Sequence, residues 1–392
     1  MPKVTLVRGA RQLLTLRGPN GPRRGADLKN LGIIQDGAVL IVDGRIEDVG
    51  ASRRVENLAL ARHADEIDAS GRVVMPGFVD CYTHLASGPA RNPATDPLAL
   101  ARAIRDLSAR TLESHTLDTL AQALRHGTTS LETKSGFGLT EANEIKILRV
   151  HAAVEKQSLP LVSTFLCAEG SLHMLPLIRR RKLAQFAEIS LHRDGFPVEQ
   201  ARQFLTTARE LKFGLKLHLG SRYHAEAIPL AIETGVTAVD DAIAVTPDGA
   251  ALLAQSPIIA TLLPGPLFYS HTPDHAPVRM LIESGVAVAL ATGYHPSSCP
   301  SVNMQMMIAL ACAHMCLTPS EAIAASTINA AFAAGLASTT GSLEAGKSAD
   351  LLILDTPDYR EIPYHFGVNL IDLVMKNGAV VLARSEVKWP AP

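Results

Sequence analysis

The sequence lacks most of the features that would assign it to a function class at once. It carries no surplus of either charge: 37 Lys and Arg stand against 38 Asp and Glu, for a formal net charge of −1. Phosphate backbones need clustered positive charge, so nucleic acid is not an expected partner. The one dense basic run, Arg179-Arg180-Arg181-Lys182, reads as a solvated helix face. Cysteine is sparse, with five residues (Cys81, Cys167, Cys299, Cys312 and Cys316) and no CxxC pair. That odd count, without a leader-like segment, points to a reducing compartment and not to a disulfide scaffold. The opening Met-Pro-Lys-Val-Thr has neither an apolar core nor a small-residue cleavage site. The longest apolar stretch, Met304 to Leu317, carries His314 and falls short of the ~20 residues a bilayer span requires. These absences together predict a cytoplasmic protein without membrane contact.

What remains is ordinary globular material in quantity. The chain has 392 residues, of which 47% are hydrophobic and 19% charged. That length suits a barrel with a smaller companion domain. Residues 1–72 read as short strands, with Asp43-Gly44 as a hairpin turn between Ala38–Val42 and Arg45–Val49. Arg72 to Val74 continues this pattern, and residues 342–392 answer it with a strand at Asp350–Asp355 and a second hairpin around Asn377-Gly378. The two separated segments are predicted to pair into one small β-sandwich domain, which brings the termini together.

Residues 73–341 alternate strands with helices. Eight apolar strand candidates run at Val73–Val79, Thr128–Glu132, Leu161–Leu166, Phe186–Leu191, Gly214–His218, Thr237–Val239, Ile258–Leu263 and Val286–Ala291. Between them, Glu141–Glu155 and Pro197–Leu211 space apolar residues by three and four, the helical period. Near-continuous apolar strands imply burial on both faces, as in a parallel sheet. Eight such units predict an α/β fold of the (β/α)8 TIM-barrel type. A doubly wound open sheet is the alternative, but no glycine-rich phosphate loop follows the first strand.

A barrel places its chemistry at the C-terminal strand ends. The residues there are Tyr82 and His84, Lys134 and Phe137, Glu169, His192, His218, Asp241, Gly293 and His295. Each ionisable one taken singly is an ordinary loop polar group; their concentration at one end marks a candidate site.

Several segments carry a resemblance. Pro76-Gly77-Phe78-Val79-Asp80 before Thr83-His84 resembles the first-strand motif of the amidohydrolase superfamily. His126-Gly127-Thr128-Thr129, Lys134-Ser135-Gly136-Phe137-Gly138-Leu139 and Ser163-Thr164-Phe165-Leu166 resemble the second and third strand regions of its imidazolonepropionase branch. Gly341-Ser342-Leu343-Glu344-Ala345-Gly346-Lys347 resembles the superfamily's return into the β-domain, and Pro363-Tyr364-His365-Phe366-Gly367-Val368-Asn369-Leu370 is similar to the same branch. The resemblance covers essentially the whole chain.

It implies hydrolysis of a cyclic amide C–N bond, that of 4-imidazolone-5-propanoate, by a metal-activated water, and commonly a homodimer. It also implies two histidines spaced H-x-H after strand 1, a histidine after strand 5 and an aspartate after strand 8 as ligands, with a histidine and a glutamate moving protons. This sequence departs from that set. The H-x-H is Tyr82-Thr83-His84, the strand 5 histidine survives as His218, the nearby acid is Ser221, Asp-His after strand 6 is Asp240-Asp241, and the strand 8 aspartate is Gly293. On the substrate side a tyrosine is Phe137, a histidine is Glu169, and Arg91 matches the arginine that grips the substrate carboxylate, although a plain surface arginine is an equal reading.

Two histidines rarely hold Zn²⁺ alone. The expectation is therefore a degenerate metal site, with His84 and His218 as remaining ligands and no tightly bound cofactor. A small carboxylate-bearing ligand would still be held, with Arg91, Phe137, Glu169 and His192 as its contacts. Two alternatives stay open: an active hydrolase of the original type, or a rewired site in which His84, His218 and Asp241 take zinc or iron. Asp241, Glu169 and His295 are the catalytic candidates.

Overall fold

A computed structural model describes residues 2–87, 97–157, 159–167, 171–191, 196–220, 222–270 and 278–384. Arg91, Glu169, His192 and Ser221 lie outside the described residues.

The chain opens with β1 (Val4–Leu14), β2 (Ile33–Val42), β3 (Arg45–Ala51), β4 (Asp65–Asp68) and β5 (Val73–Pro76), and closes with β14 (Leu351–Leu354), β15 (Ile371–Lys376) and β16 (Ala379–Ala383). These eight strands pair as one sheet in the order β16-β15-β14-β5-β1-β2-β3, branched where β4 joins β1. The turns at Asp43-Gly44 and Asn377-Gly378 both take positive φ, the condition a two-residue hairpin sets. Alternate residues of β1, β2, β5 and β14 (Val7, Leu13, Val39, Ile41, Val74, Leu351 and Ile353) pack into one buried cluster.

The second sheet holds β6 (Phe78–Asp80), β7 (Thr128–Lys134), β8 (Leu161–Cys167), β9 (Phe186–Ser190), β10 (Gly214–His218), β11 (Ala238–Asp240), β12 (Ile259–Leu262) and β13 (Ala287–Leu290). All are parallel neighbours in chain order, so the (β/α)8 barrel is realised. β13 and β6 are joined beyond their ends. Thr292 N donates to Asp80 Oδ1 at 3.0 Å, Gly293 N to the Tyr82 carbonyl at 3.1 Å, and His84 N to the Tyr294 carbonyl at 2.8 Å. This closure lies at the barrel mouth and locks the first and last candidate loops together.

One predicted element divides. Val73–Val79 reads as a single strand, but it changes sheets at Gly77: Pro76 pairs with Leu351 in the terminal-segment sheet, while Phe78 N donates to the Gly127 carbonyl in the barrel. Proline has no N–H to continue a ladder, so the strand ends there. The predicted helices lie at Glu141–Glu155 and Val198–Glu210. Among the described residues, no helix is long and apolar enough to cross a membrane.

Candidate functional site

The β6 turn supplies Tyr82 and His84, both buried. The Tyr82 hydroxyl lies 3.2 Å from Nδ1 of His218, and its ring lies over the Lys134 ammonium, 4.4 Å from Nζ to centroid. Burial pushes the Tyr82 hydroxyl well above the ordinary tyrosine range, so it stays protonated. His84 Nδ1 lies 3.3 Å from the Lys134 carbonyl. A carbonyl only accepts, so Nδ1 carries the proton. Burial holds His84 neutral, well below the ordinary histidine value. His218 ends β10 and is partly open; its Nε2 is 3.9 Å from Asp241 Oδ2. Both of its ring nitrogens therefore face a polar side chain. Asp241 sits in the left-handed region at φ 58, and burial, with the charge of Asp240, pushes its carboxyl up to about 6.

Beyond β13, Gly293 has φ 64, and a Cβ placed on it would lie 2.6 Å from Pro266 Cγ. An aspartate in this backbone would be both strained and crowded. His295 is buried, with its ring 4.4 Å from that of Phe137 and 5.6 Å from that of His84. Phe137 is in turn 4.8 Å from His84 in an edge-on contact. Ser297 N donates to His295 Nδ1 at 3.3 Å, so that nitrogen is the bare one. Burial pushes His295 down to about 4, which leaves it neutral with its proton on Nε2. That Nε2 is buried without a hydrogen-bond partner.

The structure thus gathers Tyr82, His84, Phe137, His218, Asp241 and His295 around the mouth. It does not make a metal triad of His84, His218 and Asp241. Among the described residues, the only group of three acidic, histidine or cysteine side chains with ligand atoms within 4.8 Å of one another is Glu132, Glu188 and Asp240. These carboxylates already hold two cations. The Lys134 ammonium contacts Glu132 at 2.9 Å, Asp240 at 2.8 Å, and Glu188; Lys216 contacts Glu132, and Asp240 at 3.7 Å. All five side chains have no exposed surface. Burial opposes the charge on Lys134, but Asp240, Glu132 and Glu188 together hold it well above the ordinary lysine range. Burial raises Glu188 in the same network. Asp80 lies nearby, pushed up to about 7 by burial although Thr292 donates to it through both N and Oγ1.

Glu132, Glu188 and Lys216 were not among the predicted site residues. A signal for them exists in the sequence: Glu132 with Lys134, and Lys216 with His218, are charged or polar pairs two residues apart within predicted strands. Such pairs share one face of a strand, here the inward one.

The amidohydrolase family profile matches residues 73–381. The chain is 34% identical over 416 residues to an imidazolonepropionase of Alkaliphilus metalliredigens, covering 97% of this chain and 99% of that protein. It is 36% identical over 422 residues to one of Symbiobacterium thermophilum, covering 98% of each. Among solved structures, it is similar to guanine deaminase of E. coli, with TM-score 0.77, 17% identity and coverage of 98% of this chain and 100% of that one. A zinc-bound adenosine deaminase of Xanthomonas campestris gives TM-score 0.76 at 17% identity over 97% of this chain and 93% of that one.

Proposed function

The chain belongs to the amidohydrolase family, and within it we propose an imidazolonepropionase-like member whose metal-dependent C–N hydrolysis is lost or severely weakened and whose barrel mouth binds a small carboxylate-bearing ligand. The observation that carries this reading is the Tyr82–His218 contact at 3.2 Å. The side chain at the first ligand position is a protonated phenol, and it occupies a nitrogen of the surviving strand 5 histidine. At the strand 8 position Gly293 offers no side chain, and Pro266 fills the space where one would start. Catalytic zinc generally takes three protein ligands and a water. The donors present do not fit that set, and the acidic trio deeper in the barrel is engaged by lysines.

Ligand binding is supported by the buried, unpartnered Nε2–H of His295. A buried donor without an acceptor costs about 1–3 kcal/mol. A carboxylate or ring carbonyl entering the mouth would remove that cost. Arg91, which lies outside the described residues, is proposed as the second anchor. The test is calorimetry with imidazole-4-propanoate, a stable compound carrying both a ring and a carboxylate, alongside metal analysis of the purified protein. Saturable binding that survives a chelator and weakens in Arg91→Ala supports the reading. One equivalent of retained metal per chain, with turnover, overturns it.

The full-length similarity to imidazolonepropionases favours a second reading, an active hydrolase of cyclic amides. It predicts that 4-imidazolone-5-propanoate is consumed once zinc or iron is supplied, and that a chelator abolishes this. No turnover under either metal removes it. No nucleic-acid or membrane partner is proposed, and a homodimer in the cytoplasm completes the reading.

A further inference from the structure

The loop after β7, residues 135–139, brings Phe137 to the mouth, and little of its shape comes from the strand. Gly136 has φ 110, a region closed to side-chain-bearing residues, and Leu139 has φ 53. Such a path persists only where the surroundings hold it. β8 holds the loop's first residue, with Ser135 N donating to the Thr164 carbonyl at 3.0 Å; the glycines beyond are held by the helix that follows. Glu144, in the first turn of the helix Glu141–Glu155, accepts from Gly136 N at 2.8 Å through Oε2 and from Gly138 N at 2.6 Å through Oε1. The neighbouring Asn143 donates from Nδ2 to the Gly138 carbonyl at 3.1 Å.

Glu144 is 1% exposed, and among the described residues no ion pair reaches it. Burying a carboxylate without a cation is costly. Two backbone N–H donors and the positive end of its own helix work against that cost, although burial still holds the carboxyl above its ordinary value. A side chain that served only to fill space would not need the charge.

We propose that Glu144, assisted by Asn143, is a positioning residue for the mouth: its carboxylate fixes the loop so that Phe137 stands against His84 and His295 and aims the His295 donor at the ligand. The ligand part rests on the reading that the mouth binds a small carboxylate-bearing molecule. The positioning part stands on the 4.4 Å and 4.8 Å ring contacts alone.

The experiment uses the full chain with ¹³C-labelled histidine, comparing wild type with Glu144→Gln and Asn143→Ala. Phe137 shifts the ring C–H resonances of His84 and His295 through its ring current. Both variants should unfold cooperatively while those resonances move or broaden, more in Glu144→Gln than in Asn143→Ala. The affinity for imidazole-4-propanoate should fall by about fivefold or more in Glu144→Gln, equivalent to about 1 kcal/mol. Unmoved His84 and His295 resonances in a folded variant overturn the positioning role. If Glu144→Gln does not fold, Asn143→Ala decides: unchanged resonances there overturn the clamp. Wild type that ignores the probe, while the resonances still move in the variants, overturns the ligand reading and leaves the positioning supported.

Discussion

Tyr82 Oη and His218 Nδ1 lie 3.2 Å apart, so a side-chain hydrogen bond joins the ends of β6 and β10 across the barrel mouth. The phenol sits over the Lys134 ammonium. It thus stands between the buried charge network and the mouth.

Reversion of ligands should not by itself restore a metal site. Tyr82→His with Gly293→Asp supplies two donor types, but residue 293 has φ 64 and Pro266 Cγ lies 2.6 Å from its Cβ position. The aspartate should destabilise the fold by more than about 1 kcal/mol. The double variant should hold well under one zinc per chain by elemental analysis after dialysis, and adding Pro266→Ala should raise that content. A full equivalent in the double variant would show that the mouth has kept its original shape.

The buried network should respond asymmetrically to neutralisation. Lys134→Met leaves three carboxylates with Lys216 alone and should cost about 3–5 kcal/mol, the usual penalty for breaking a buried pair. Glu188→Gln leaves two carboxylates with two ammoniums and should cost clearly less. Urea unfolding measures both; an equal or larger loss in Glu188→Gln would contradict the charge count.

Stability should fall on mild acidification through His151. This residue is buried on the helix Glu141–Glu155, with Nδ1 at 2.9 Å from Ser163 Oγ and Nε2 unpartnered. Burial pushes it down to about 3. The folded state keeps it neutral, whereas the unfolded chain takes up a proton below the ordinary value of about 6.5. Stability from this group is therefore full above pH ~6.5 and is lost as the pH falls toward ~3, by about 2 kcal/mol at pH 5. The difference between wild type and His151→Gln should shrink by that amount between pH 7 and pH 5; a difference independent of pH would refute the assignment.

His295 should matter to binding and little to folding. His295→Phe keeps a ring against Phe137 and removes the Nε2–H donor. The affinity for imidazole-4-propanoate should drop about tenfold, the worth of one buried polar contact, with the unfolding midpoint nearly unchanged. Undiminished binding by calorimetry would mean that the ligand does not reach this donor.

Local pattern in the sequence determined a good deal. Apolar runs of strand length, helical spacing between them and two turn dipeptides were enough for the barrel, for the pairing of the terminal segments, and for the set of strand ends where Tyr82, His84, His218, Gly293 and His295 stand. These are short-range properties, each written in a few adjacent residues. The sheet change at Gly77 was less legible, because Val73 to Val79 is apolar throughout and only the partners of Pro76 and Phe78 separate its halves.

Tertiary structure alone decided what those residues do to one another. Tyr82 and His218 are 136 positions apart, and Lys134 and Asp240 are 106 apart. No period in the chain relates them; closing the barrel does. That closure also excludes water, which turns five ordinary charges into a dry network, keeps His84 and His295 neutral, and leaves Pro266 in the space beside Gly293. The sequence determined which chemical groups reach the mouth, and the packing decided which of them are already engaged with one another.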